Sequence, residues 1–490
     1  MRKRKLYQLL ALLSPEELNR FEAFLSTKYF NGRKTLLPFF ARWRKLFFAE
    51  PNDRDYTVEE FLEGTGISPR RMNKLSSALY NLLVQFMALS EMMEDEFAQN
   101  ELLVNAIERR SKRAPVAGSL LEKLQGQVDA EPDGPRKRYL SLVNRWMQAE
   151  VAIKVRETRT LWKEDFQDIN HRLDQYYQLQ KLKLASASAN ARNIYNQKEK
   201  DPSADFLRGL QETGDVNQLP PLARCYYLTI QMLNEGNGEE AFRELLALLK
   251  DHASDFQVEE ALELYNYSLN FCIRSGNQGK GVYLHYASDL YQQLLDNRLI
   301  LVNGQLHPQQ FKNIVALFCR LGKVDWVADF IPEYQHLLPE IGRSFSVEYN
   351  KAVLSFFQEK YGDAIGRFKS LVTQASGDIF YELDARAYLW KSYFENLEHN
   401  SMEEMDEMYK LYDSFRLYID RNEKISDYHK LHYRNFIRMF KRFMEILNRE
   451  QGSHEHLSQL RQDVVGLNSI TNKEWLLSKI DSALDTDPYP

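Results

Sequence analysis

Apolar residues recur at spacings of three and four in almost every window of this 490-residue chain, and alternating stretches are few. That period puts one apolar face on a helix, and it argues against a fold built on sheets. Gly and Pro number 21 and 15, about 7% of residues against roughly 12% in average usage, too few turn formers for many short strands. Breaks fall at 114–118 (APVAG), 129–135 (DAEPDGP), 199–205 (EKDPSAD), 235–239 (EGNGE), 275–281 (SGNQGKG) and 303–308 (NGQLHP). The segments between them have the length of single helices, which is the rhythm of helix–turn–helix hairpins.

Two hairpins share one template. In the first, Tyr349, Ala352, Val353, Phe356 and Phe357 share a face; after the turn at Tyr361-Gly362-Asp363, Ala364, Ile365, Phe368, Leu371 and Val372 share another. Ala241, Phe242, Leu245, Leu248 and Leu249 repeat the second set of offsets, and Ala223, Tyr226, Tyr227, Ile230 and Leu233 supply the partner helix. Ala241 and Ala364 lie 123 residues apart, which fits three hairpin units of roughly 41 residues, a period typical of helical arrays. Looser hairpins between them align on Phe271-Cys272 and Phe318-Cys319. The stretch reads as an array, which grows by units and not by domains.

A small residue in mid-helix, then Tyr361-Gly362-Asp363-Ala364 with Phe368 four residues on, resembles tetratricopeptide (TPR) repeats. Ala352, Ala241 and Leu245 fit the same pattern. The chain departs from it in unit length, in Ser355 where an aromatic is common, and in Ser376 where a closing Pro is usual. More narrowly, LSPEELNRFEAFLSTKYFN, FKNIVALFCRLGKVDWVADFI, FYELDARAYL and DSFRLYIDRN resemble an uncharacterised family of long bacterial TPR-like proteins, over most of the chain. That resemblance implies the fold and brings no activity with it. The expected fold is all-α: a TPR-like α-solenoid, a right-handed superhelix of hairpins, with an N-terminal helical head. The expected organisation is a head over 1–90, a long-helix lead-in over 91–200, the array over 201–449 and a polar, partly helical tail over 450–490.

The net charge is −5, no global signal for nucleic acid. Residues 1–80, however, carry 15 Lys/Arg against 9 Asp/Glu. Three cysteines without a CxxC pair exclude a disulfide framework and point to a reducing, cytoplasmic setting. The start MRKRKLYQLLALL is too short in its apolar run for a signal peptide, and Ser14-Pro15-Glu16-Glu17 predicts a capped helix start instead. No apolar run is long enough to span a membrane.

Residues 61–83 have the spacing of a helix-turn-helix corner. Gly66 would reverse the chain, Ser68 would cap the second helix, and Met72, Leu75 and Leu79 would face inward. Arg70, Arg71, Asn73 and Lys74 would then face outward, as DNA contacts or on a purely structural cap of the array. Leu62 stands where that motif usually has a small residue. GNQGKG (276–281) lacks the strand and the Ser/Thr of a phosphate loop and reads as a turn. His429 with His432, and His454 with His456, lack a third ligand at metal spacing. No metal, cofactor or catalytic set is expected. Residues 433–447 form a basic amphipathic helix with Phe436, Phe440, Phe443 and Leu447 in one stripe, either a membrane- or partner-binding face or the helix that covers the end of the array.

Asn266, Asn313 and Asn350 recur on the first helices of consecutive hairpins, and Arg386 continues the series. First helices line the groove in TPR-like arrays. A ladder of Asn side chains there would hold a peptide backbone, while Arg386 and Lys312 would take a carboxylate or phosphate. The competing role for these Asn is to tie neighbouring helices together. The expected function is therefore a non-enzymatic protein- or peptide-binding scaffold or adaptor. The alternative is a DNA-binding regulator with a TPR-like sensor region.

Overall fold

Among the described residues the chain forms twenty-three α-helices, three short 3-10 turns and one hairpin of two-residue strands, an all-α architecture. The structure, a computed structural model, describes residues 1–48, 55–110, 115–155, 162–195, 203–234, 238–277, 280–302, 304–374, 378–396, 402–423, 425–448, 453–467 and 469–486. Ser376 and parts of the breaks expected at 114–118, 199–205, 235–239, 275–281 and 303–308 lie outside these residues. The chain divides into two compact units, Met1–Glu131 with Arg136–Asp174, and Pro132–Pro135 with Gln175–Pro490.

The first unit holds α1 (Lys5–Leu10), α2 (Pro15–Ser26), α3 (Leu36–Phe47), α4 (Val58–Leu62), α5 (Pro69–Glu94), α6 (Glu96–Arg110), α7 (Pro115–Ala130), α8 (Pro135–Val155) and the start of α9 (Trp162–Tyr195). Its helix starts are written locally. Ser14 Oγ accepts from the Glu17 amide at 3.2 Å and Glu17 Oε2 accepts from the Ser14 amide at 2.7 Å, a complete capping box. Thr57 and Glu60 build a second one on α4. The other end of α4 is closed from outside: Arg42 of α3 donates to the carbonyls of Phe61, Glu60 and Glu63 at 3.2–3.3 Å, groups that a helix end leaves unpaired. Gly64 and Gly66 then reverse the chain at φ +71° and +66°, backbone that side chains other than Gly rarely adopt. Ser68 caps α5, and Met72, Leu75 and Leu79 turn into a core with Phe21, Phe40, Trp43 and Phe61. Six residues separate α4 from α5, more than the three or four of an ordinary helix-turn-helix. A separate core of Phe97, Val104, Leu124 and Leu140 joins α6, α7 and α8.

The second unit holds the rest of α9, then α10 (Ala204–Glu212), α11 (Pro221–Leu233), α12 (Gly238–His252), α13 (Val258–Asn277), α14 (Val282–Asp296), α15 (Pro308–Arg320), α16 (Val324–Tyr334), α17 (Arg343–Phe357) and α18 (Tyr361–Val372). It continues with α19 (Ile379–Glu395), α20 (Met402–Arg421), α21 (Asp427–Leu447), α22 (Ser453–Gly466) and α23 (Lys473–Thr486). Helices α11 to α22 pack in consecutive pairs, and α11 also packs on α13, α15 on α17, and α17 on α19. The faces expected from the apolar period are the buried ones: Ala352, Val353 and Phe356 on α17, Ala364, Phe368 and Leu371 on α18, Ala241, Phe242, Leu245 and Leu249 on α12. Cys225, Cys272 and Cys319 are buried core residues. Gly276 closes α13 against α14, where a Cβ would sit 2.4 Å from a Leu284 methyl carbon.

Two expectations for the C-terminal part need correction. Residues 450–490 are not a polar tail: α22 and α23 bury Leu457, Leu460, Val464, Leu476 and Ile480 in a core shared with α19 and α21. Helix α21 is consequently not a terminal helix: α22 and α23 follow it and both pack on it. Its Phe436, Phe440 and Phe443 are buried as expected, Leu447 is exposed, and its basic side is engaged by Asp420 on Arg434 and Asp463 on Arg442.

Candidate functional site

The first-helix residues that suggested a groove lie at two places in the second unit. Lys312 of α15 is buried and forms an ion pair with Asp384 of α19. Its Nζ lies 4.9 Å from the ring centre of Tyr381 and 5.6 Å from that of Tyr349. Tyr433 of α21 donates to the other Asp384 oxygen at 2.5 Å, and Tyr381 donates to the Pro308 carbonyl at 2.7 Å. Asn350 is fully buried beside them, with its Nδ2 donating to the Ser346 carbonyl at 2.8 Å. Arg386 lies 3.7 Å over the Tyr418 ring and donates to the carbonyls of Glu382 and Val372. Burial lowers its pKa.

Asn266 and Asn313 belong to a different seam. Asn266 Oδ1 accepts from Gln310 Nε2 at 3.0 Å, and Gln310 Oε1 accepts from Tyr291 at 3.1 Å, so α13, α14 and α15 are joined. Asn313 is exposed and accepts from Gln309 of its own helix at 3.1 Å. The expected ladder is thereby corrected: the three Asn do not share one wet surface. Asn350 is sealed among tyrosines, Asn266 ties two helices, and only Asn313 faces solvent. The reason is that α17 and α19 are covered on nearly every side, so their polar residues must find partners inside the protein.

One strongly perturbed cation in this region is a residue the sequence did not single out. Lys391 of α19 is buried with its Nζ 3.7 Å over Tyr388 and within 5.5 Å of the Trp475 ring, and it donates to Asn472 Oδ1 at 3.0 Å. Burial pulls its pKa down to about 7, against the opposing pull of Asp384 and Glu395. Glu395, one helical turn on, accepts from Trp475 Nε1 at 2.7 Å and from Lys479 at 2.6 Å, and Arg320 of α15 pairs with Glu474 at 2.6 Å. Helix α23 thus docks on α15 and α19 through four polar contacts. A second buried set joins Lys183, Tyr226, Glu260, Glu263 and Tyr267, with Tyr226 donating to both carboxylates at 2.6 and 2.8 Å. All three thiols are held protonated by burial, at about 12, and so lack the thiolate that cysteine chemistry needs.

An open surface of a different kind lies between α12 and α14. A cleft there is lined by Glu239, Phe242, Arg243, Lys280, Val282, Tyr283 and Tyr286. Phe242 forms its floor, 5.7 Å from Tyr283 and 5.5 Å from Tyr286 between ring centres. Lys280 is spent on Glu239 at 2.7 Å, whereas Arg243 is exposed and makes no ion pair among the described residues. Val282 and Tyr286 expose apolar surface at the rim. The signal was present in EEAFRE and GVYLHY, whose aromatics look like ordinary core until the hairpins are stacked.

At the N-terminal corner Arg70, Arg71, Asn73 and Lys74 are all exposed. Asn73 Oδ1 accepts from Arg4 at 2.9 Å. Comparison of the chain with family models, with curated proteins and with solved structures found no match.

Proposed function

We propose that this chain is a non-enzymatic scaffold or adaptor, in which residues 201–449 form a TPR-like α-solenoid that holds a protein or peptide partner. Paired helices whose first members pack on first members support the stacked-hairpin reading. The observation that carries the binding role is the cleft between α12 and α14. It combines an aromatic floor, an exposed aliphatic and aromatic rim, and an exposed guanidinium, Arg243, that makes no ion pair among the described residues. Aromatic and Arg anchors in concave sites are the usual centres of binding energy. The fitting occupant is a peptide with an aliphatic or aromatic side chain beside an Asp or Glu. The proposed working surface is therefore on the second helices; Lys312 and Arg386, expected in the groove, are engaged inside the protein, and Asn350 is fully buried. A library of short random peptides, selected against the immobilised chain, tests the reading. Selected peptides are expected to pair an apolar residue with an acid and to lose binding to the Arg243→Glu and Tyr286→Ala variants. Peptides that bind wild type and both variants equally, or no enrichment at all, would remove the cleft as the binding site.

A further inference from the structure

We infer that the N-terminal unit carries a second and independent binding surface, for the phosphate backbone of duplex DNA. Two segments distant in sequence build it. Arg4 donates to Asn73 Oδ1 at 2.9 Å, and α1 packs on α5, which lays the Lys3-Arg4-Lys5 segment against the first turns of α5. Arg70, Arg71 and Lys74 project from those turns. The surface therefore gathers six cations. Lys3, Lys5, Arg70, Arg71 and Lys74 are exposed and make no ion pair among the described residues. Nearby Asp55 is engaged by the Met1 ammonium at 2.6 Å and the Arg2 amide at 2.9 Å. No acidic residue occupies the first turn of α5. Like charges held together in this way repel one another, and a polyanion relieves the repulsion by neutralising them and releasing its counterions.

The chemistry of the patch selects among anionic partners. A protein partner needs an apolar anchor, and neither residues 2–5 nor the first two turns of α5 expose a large hydrophobic side chain. A single-stranded nucleic acid needs exposed aromatic faces on which bases stack, and these segments present none. A duplex needs cations and a rod that fits its groove. Helix α5 is such a rod: its outward side is Arg70, Arg71, Asn73 and Lys74, and its inward side is anchored by Met72, Leu75 and Leu79. Arg42 and Ser68 hold the corner rigid behind it.

The test uses the full chain and a fluorescein-labelled duplex of mixed sequence, read by anisotropy at low and moderate KCl. Wild type is expected to bind at low salt and to weaken steeply as salt rises. The triple variant R70A/R71A/K74A is expected to bind at least ~10-fold more weakly at low salt, with the log–log salt slope reduced by about 2 to 3. A control variant, K250A/K323A/K410A, changes net charge equally on the other unit and is expected to keep the wild-type slope. Should the triple variant lose its helical circular dichroism, R70E alone repeats the comparison. Absence of duplex binding at low salt, an unchanged slope in the triple variant, an equal loss in the control, or tighter binding to a single-stranded RNA or a polyglutamate peptide each overturns the assignment.

Discussion

Lys391 sits in an environment far from what its type suggests. Its ordinary pKa is 10.5, and burial brings it to about 7 in the folded chain. Between those values the unfolded chain binds the proton and the folded chain does not, so unfolding takes up a proton. Stability therefore rises with pH from about 7 upward, at up to roughly 1.4 kcal/mol per unit, and is flat below pH 7 as far as this group is concerned. His429 and His432 have pKa values lowered from 6.5 and titrate below this window. The buried thiols act above it, because they hold the folded chain protonated while unfolded thiols ionise near 9. Urea unfolding at intervals from about pH 7 to about pH 8.5 isolates the lysine. Wild type should gain stability across the range, and Lys391→Met should be more stable than wild type at pH 7 and lose most of the slope. Parallel slopes for the two chains would mean that Lys391 keeps its proton. In the sequence this lysine stood inside Leu389-Trp390-Lys391-Ser392-Tyr393. A cation in so apolar a run was the available signal, but long charged side chains usually reach solvent from such positions.

At the scale of elements, α23 separates the structure from the sequence most clearly. Polar residues outnumber apolar ones over 450–490, and their average hides the placement of Leu476 and Ile480 one helical turn apart, both fully buried. Trp475 packs edge-on to Phe440 at 4.9 Å while its indole nitrogen reaches Glu395. Truncation of a buried leucine removes its transfer energy and leaves a cavity. Leu476→Ala is expected to destabilise the chain by about 2 to 4 kcal/mol, read as a lower urea midpoint with no change in the cooperativity slope. A midpoint equal to wild type would mean a free tail. Other elements were readable beforehand because their signals are local. The capping box at Ser14, the chain reversal at Gly66 and the Ser68 cap each need only their immediate neighbours.

At the scale of the whole molecule, two compact units with separate cores imply that unfolding has more than one step. Phe40 is fully buried in the core of α1–α5. Phe40→Ala is expected to remove about 3 to 5 kcal/mol from its own unit. Hydrogen-exchange mass spectrometry should show protection falling across α2, α3 and α5 while peptides from α11 to α19 keep wild-type protection. Equal loss in both sets would mean that the chain unfolds as one cooperative body. The all-α class and the pairing of consecutive helices were legible because the apolar period of three and four recurs along the chain. The division near residue 174 was not, because nothing in composition marks it and it falls inside the single helix α9.

Sequence alone determined where helices run, which face of each is apolar and how several of them begin, because periodicity and caps depend on residues within a turn or two. It did not determine the fate of the polar residues on those helices. An Asn or Lys on a first helix reads the same whether a groove or a neighbouring helix covers it. Lys312 meets its carboxylate on Asp384, and Lys391 meets its acceptor on Asn472, 81 residues on. Asn350 is buried because α17 is enclosed by α15 and α16, which precede it in the chain, and by α18 and α19, which follow it. Only the tertiary packing, by deciding which polar groups lose water, set which must pair inside the protein and which stay in solvent, as Arg243 at the cleft and Arg70, Arg71 and Lys74 at the corner do.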